Sequence, residues 1–154
     1  MVSISNVNLE IFEGPPTQPQ GFALVRASYT LTATQHDAEH GQVYRELVQL
    51  IGDDRGEGGT AEPIPNGIIS DGIVAFSTST VQITRIPEKV LPAAVLDEDQ
   101  PPPPASFPLE DEIRVMVTLT PLPPNPVTME SNLIRRGGPV VGGGLQGTTQ
   151  LQQK

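Results

Sequence analysis

EIRVMVTLTP, residues 112–121, alternates apolar and polar side chains without interruption. Ile113, Val115, Val117 and Leu119 fall on one parity, and Arg114, Met116, Thr118 and Thr120 on the other. A period of two places each set on its own face of an extended chain, so the stretch reads as a half-buried strand with its aliphatic parity in the core. ALVRASYTLTAT, residues 23–34, repeats the pattern, with Val25, Ala27, Tyr29, Leu31 and Ala33 against Arg26, Ser28, Thr30 and Thr32. IVAFSTSTVQITRI, residues 73–86, is rich in β-branched residues and is closed by Pro87, as a further strand would be. VSISNVNLEIF, residues 2–12, also alternates, but its phase slips at Asn6. Val2 and Ile4 lie on one parity and Val7, Leu9 and Ile11 on the other, which predicts a β-bulge or a short break there.

QVYRELVQLIG, residues 42–52, is two-sided. Its apolar residues fit one face of a helix, with Gly52 at a helix C-cap position, and neither strand parity is clean. A central strand buried on both faces shows the same mixture, and the neighbouring elements are strands, so the context favours a strand. Residues 52–72 and 87–112 are dense in Gly, Pro and acid and read as loops. PLPPNP, residues 121–126, cannot continue a central strand, because proline has no N–H to donate.

Composition agrees with many short elements joined by turns. Hydrophobic residues make up 36% of the 154, below the usual globular share, while 15 Gly and 17 Pro supply frequent breaks. No cysteine is present, which excludes disulfides and thiolate metal sites but assigns no compartment. MVSISNVNLEIFEG lacks the basic start and apolar run of a signal peptide, and no apolar run is long enough for a membrane-spanning helix. The expected partners therefore include no membrane. A net charge of −9 argues against nucleic acid. All 18 acids precede residue 135, whereas residues 135–154 carry Arg135, Arg136 and Lys154 and no acid. An acidic body thus carries a weakly basic tail.

The catalytic look-alikes lack their contexts. His36-Asp37-Ala38-Glu39-His40 has the letters of a zinc-peptidase motif, but that chemistry needs a helix and a third ligand, and a polar loop tip is expected instead. Gly142, Gly144 and Gly147 have dinucleotide-fingerprint spacing with only seven residues left to form the helix that would follow. The chain's two histidines share one segment, which leaves little material for a Ser-His-Asp triad. With six Phe and Tyr and no Trp, an aromatic sugar platform is also unsupported.

LDEDQPPPPASFPLEDE, residues 96–112, sets two acidic triads around four prolines. Asp53, Asp97, Asp99 and Asp111 could supply hard oxygen ligands to calcium if their loops met. No EF-hand spacing is present, and four prolines in polyproline II span about 12 Å, so a solvated spacer flanked by solubilising acids is preferred.

These readings predict an all-β chain. Residues 1–134 are expected to form an antiparallel β-sandwich of about seven strands, immunoglobulin-like or C2-like, and 135–154 a Gly/Gln-rich arm with too little apolar surface to fold alone. Arg135, Arg136, Val140, Val141 and Leu145 are the arm residues expected to dock on protein subunits of the same assembly, copies of this chain included. No cofactor and no catalysis are expected. The expected role is a structural or interaction subunit, best exemplified by a decoration, tail or connector component of a phage virion or related particle. The expected location is a virion or extracellular particle, otherwise the cytoplasm. A calcium-dependent ligand- or membrane-binding β-module is the alternative.

Overall fold

The computed structural model describes residues 1–53, 55, 58–97, 110–122 and 127–137. The all-β expectation holds: these residues form antiparallel strands in two sheets. The proline spacer, in residues 98–109, and the tail from 138 onward lie outside the described residues.

The first sheet contains β1 (Ser3–Glu13), β2 (Phe22–Thr32), β5 (Gln82–Arg85) and β6 (Glu88–Pro92). β2 is central, with β1 along one side and the short β5 and β6 in succession along the other. The second sheet runs β4 (Ala61–Ala75), β3 (Val43–Asp53), β7 (Glu110–Pro121), with β8 (Val127–Glu130) and β9 (Ile134–Gly137) in succession on the far side of β7. Each sheet thus has an edge assembled from two short strands, a device that keeps an edge from offering a long flat row of free backbone groups.

Alternation maps onto burial as the sequence requires. Ile113, Val115, Val117 and Leu119 are fully buried, and so are Val25, Ala27 and Leu31. Residues of both sheets, including Leu9, Val25, Val48 and Val115, share one hydrophobic cluster. The phase slip in β1 is a bulge: its register against β2 shifts between Ser5 and Asn8, with Asn6 at a φ of 53°. That extra residue returns Val7, Leu9 and Ile11 to the same buried side as Val2 and Ile4.

The two-sided segment 42–52 is a strand. β3 lies between β4 and β7, and its parity Tyr44, Glu46, Val48 and Leu50 is buried. Position explains the mixed pattern, because Ile51 on the opposite face is buried too.

The loop assigned to 52–72 is a correction. Ala61–Ala75 is the longest strand, and Glu88–Pro92 is a strand inside the second expected loop. Pro63 and Pro65 are tolerated because β4 is the edge of its sheet, where a missing donor breaks no ladder on the free side. Two register shifts against β3 absorb its irregular middle. The stretch 73–86 is the end of β4, a tight reversal closed by Ser77 and Thr80, and then β5. His36–His40 is not a loop tip but one turn of helix, α1 (Gln35–Glu39), completed by His40 at its C-cap.

Candidate functional site

At one end of the sheets the buried parity of three strands finishes in charge. Ile11 is followed two residues on by Glu13, Ile134 by Arg136, and Ile113 is preceded by Asp111. The Arg136 guanidinium donates to Glu13 at 3.0 and 2.5 Å, to Asp97 at 2.6 Å and to Asp111 at 2.8 Å. It therefore ties β1 of the first sheet to β7 and β9 of the second. Burial pulls its pKa down, but the hydrogen bonds it donates to Glu13 and Asp97 outweigh that and hold it above the ordinary arginine range. Beside it, Arg135 pairs with Glu112 at 2.5 Å.

A second cluster lies on the other face of β7. Arg114, almost completely buried, donates to Asp53 through Nε and to the Ser131 carbonyl through a terminal nitrogen at 2.9 Å. Asp53 also accepts from Arg55 at 2.6 Å, and Arg55 reaches Glu130 at 2.5 Å. Hydrogen bonding from Arg55, opposed by burial and reinforced by Arg114, holds the Asp53 carboxyl well below the usual carboxylate range.

Of the four acids considered for calcium, Asp53 serves Arg55 and Arg114, Asp97 and Asp111 serve Arg136, and Asp99 lies outside the described residues. Asp53 therefore belongs to a different cluster from Asp97 and Asp111. Of the five arm residues, Arg135 and Arg136 sit in β9 and pair within the chain, and Val140, Val141 and Leu145 lie outside the described residues. The β7–β9 register runs through Gly137, three residues past Ile134.

Sequence reasoning missed the most buried ionic group. Glu46 of β3 projects from the core parity and is 1% exposed. It accepts from the Tyr29 hydroxyl of β2 at 2.6 Å and from Arg85 of β5 at 3.1 Å, so one carboxylate of the second sheet is held by two donors of the first. Burial, and then the Glu46 hydrogen bond, push the Tyr29 pKa far above its ordinary value. The signal was present: in a strand, Glu46 shares parity with Tyr44, Val48 and Leu50, and a buried carboxylate there demands partners. The helical alternative for 42–52 concealed it.

A polar hinge between β8 and β9 was also missed. Ser131 Oγ accepts from Val115 N–H at 2.7 Å, standing in for a strand partner. The Asn132 amide accepts from Leu9 N–H at 2.6 Å and donates to Leu9 C=O at 3.3 Å, which satisfies the backbone of edge strand β1.

A cleft of about 550 Å³ opens between the end of β3, the start of β4 and the 3-10 turn Ala93–Leu96. Ile64, Pro65 and Val95 give it apolar walls, and Thr60, Glu62 and Asp97 a polar rim. Among the described residues no group of three or more His, Asp or Glu is arranged to hold a metal ion, and no helix is long and apolar enough to cross a membrane. Glu46 with Tyr29 and Arg85, and Arg136 with Glu13 and Asp111, tie one sheet to the other, while Asp53 with Arg55, Arg114 and Glu130 ties strands within the second sheet.

No protein-family model, curated protein or solved structure matches the chain.

Proposed function

We propose that this chain is a non-enzymatic structural subunit of a larger protein assembly that contains further copies of itself. The observation that carries the reading is the outer face of the first sheet. Phe12 of β1, Leu24 of β2 and Val90 of β6 stand in register across three strands, with Phe22 and Pro92 the next pair along. Phe22 is 43% and Val90 48% exposed, whereas an isolated domain usually turns polar groups to water at such positions. Apolar side chains contiguous across a sheet mark a protein-contact surface. The Arg26 guanidinium lies 5.5 Å from the Phe12 ring centre and pairs with Glu88, giving the face a charged rim.

The architecture that fits is an antiparallel β-sandwich, immunoglobulin-like or C2-like in layout, supported by the shared core and by the Tyr29–Glu46–Arg85 and Glu13–Arg136 ties between sheets. Residues 135–154 are the proposed assembly arm, and the first two of them, Arg135 and Arg136, pair with Glu112 and Asp111 of the body. A small antiparallel body with an apolar surface patch, followed in sequence by a glycine-rich segment, suits a decoration, tail or connector component of a phage virion or related particle.

The test is multi-angle light scattering on the double variant Phe22→Ser, Val90→Asp. Because both positions are exposed, the variant should unfold within about 1 kcal/mol of wild type while its assembled mass falls. An unchanged mass would remove this face from the proposal.

A further inference from the structure

We propose that His36 and His40 form a two-imidazole site for a divalent first-row transition ion such as Cu²⁺ or Zn²⁺. The spacing of four residues around α1 brings both side chains to one side of the turn. Both residues are exposed, and their ring centres are 4.2 Å apart with planes inclined by 38°. With metal–nitrogen bonds of about 2.1 Å, an ion lies about 3.2 Å from each ring centre, so two imidazoles at a right angle about it have centres roughly 4.5 Å apart. The observed 4.2 Å is within a few tenths of an ångström of that square-planar spacing, which suits Cu²⁺, whereas the tetrahedral angle of Zn²⁺ sets about 5.2 Å and asks more of the side chains.

The hydrogen bonding prepares one ligand. His40 Nδ1 lies 2.8 Å from the His36 carbonyl oxygen, which can only accept, so Nδ1 carries the proton and Nε2 presents its lone pair. A ring N–H held by a backbone carbonyl is the arrangement that orients metal-binding histidines. The turn beneath is fixed by local bonds: the Thr34 hydroxyl accepts from Asp37 N–H, and the Asp37 carboxylate pairs with the terminal amino group of Met1 at 2.8 Å. Glu39 accepts from the Gln35 amide at 2.7 Å, so it is not poised as the base of a zinc peptidase. Two neutral nitrogens favour copper, nickel and zinc over calcium and magnesium, which prefer oxygen. With no third His, Asp or Glu grouped there among the described residues, water completes the coordination. The site is independent of the apolar face and of the acids weighed for calcium.

Isothermal titration of the full chain with CuCl₂ and with ZnCl₂ tests this, using wild type, His36→Ala, His40→Ala and Glu39→Gln. Wild type and Glu39→Gln should each take one ion per chain, copper more tightly than zinc. Either histidine substitution should weaken binding at least about tenfold, since each removes one of two tethered ligands. The Cu²⁺ complex should show electron-spin-resonance coupling to two ring nitrogens, a readout that a change in folding alone would not mimic. Affinity changed less than about twofold in both histidine variants, or coupling to fewer than two ring nitrogens in wild type, would overturn the site.

Discussion

Glu46 shows how context sets the worth of an ion pair. Its carboxylate is buried, so removing Arg85 strands a charge in the core, whereas removing Arg45 merely returns Asp71 to water. Arg85→Ala should cost about 3 kcal/mol in urea unfolding and Arg45→Ala far less, although both pairs have good geometry. Equal costs would mean that Glu46 is hydrated in solution. Asp53 gives the matching pH prediction. Its folded pKa lies below its unfolded value, so its stabilisation is complete above about pH 4 and is lost as pH falls further. Asp53→Asn should lower stability at neutral pH, because Arg114 is left buried without its carboxylate, and should then flatten the acid limb. Melting curves from pH 6 to pH 3 that lose stability in parallel for variant and wild type would contradict this. At this scale the end cluster was half legible: Glu13, Asp111 and Arg136 continue the apolar parity of their strands, but only the fold shows that the three meet. Arg136 read as part of a tail because composition, not pairing, set that boundary.

At the scale of elements, legibility followed position in the sheet. β7 and β2 lie between neighbours with one face in the core, so alternation alone defined them. The bulge in β1 was visible because one inserted residue moves every later apolar side chain to the other parity. Residues 61–72 of β4 were read as loop because AEPIPNGIISDG carries two prolines, Asn-Gly and Asp-Gly, all ordinary turn signals. Its glycines separate local signal from tertiary need. A Cβ on Gly67 would sit 2.9 Å from the Ile64 carbonyl oxygen and 3.1 Å from Leu50 Cβ, while one on Gly72 would meet nothing within 4 Å. Gly67→Ala should therefore destabilise by about 1–3 kcal/mol, and Gly72→Ala should be neutral or slightly stabilising. Denaturation midpoints of the two variants check the tight packing of Gly67 against Ile64 of its own strand and Leu50 of β3, and a neutral Gly67→Ala would mean that this packing is looser.

For the whole molecule, the class was legible because patterning and composition agreed on short antiparallel strands. What remained hidden was the charge economy. A chain of net charge −9 looks like an acidic surface, yet Asp37, Glu46, Asp53, Asp111 and Glu112 are buried and face cations of the same chain. Several opposite charges far apart in sequence, such as Glu13 and Arg136 or Glu46 and Arg85, meet only in the fold, and the proposed assembly role rests on the apolar patch of Phe12, Phe22, Leu24 and Val90. Self-association is the property on which the proposed assembly role depends most directly. The direct measurement is the mass of the full-length chain by light scattering across a concentration series. The expected mass rises above the 16.4 kDa of one chain to a defined multiple. A mass fixed at that of a single chain, from about 1 to 100 μM, would contradict it, because surface contacts of this class assemble in that range.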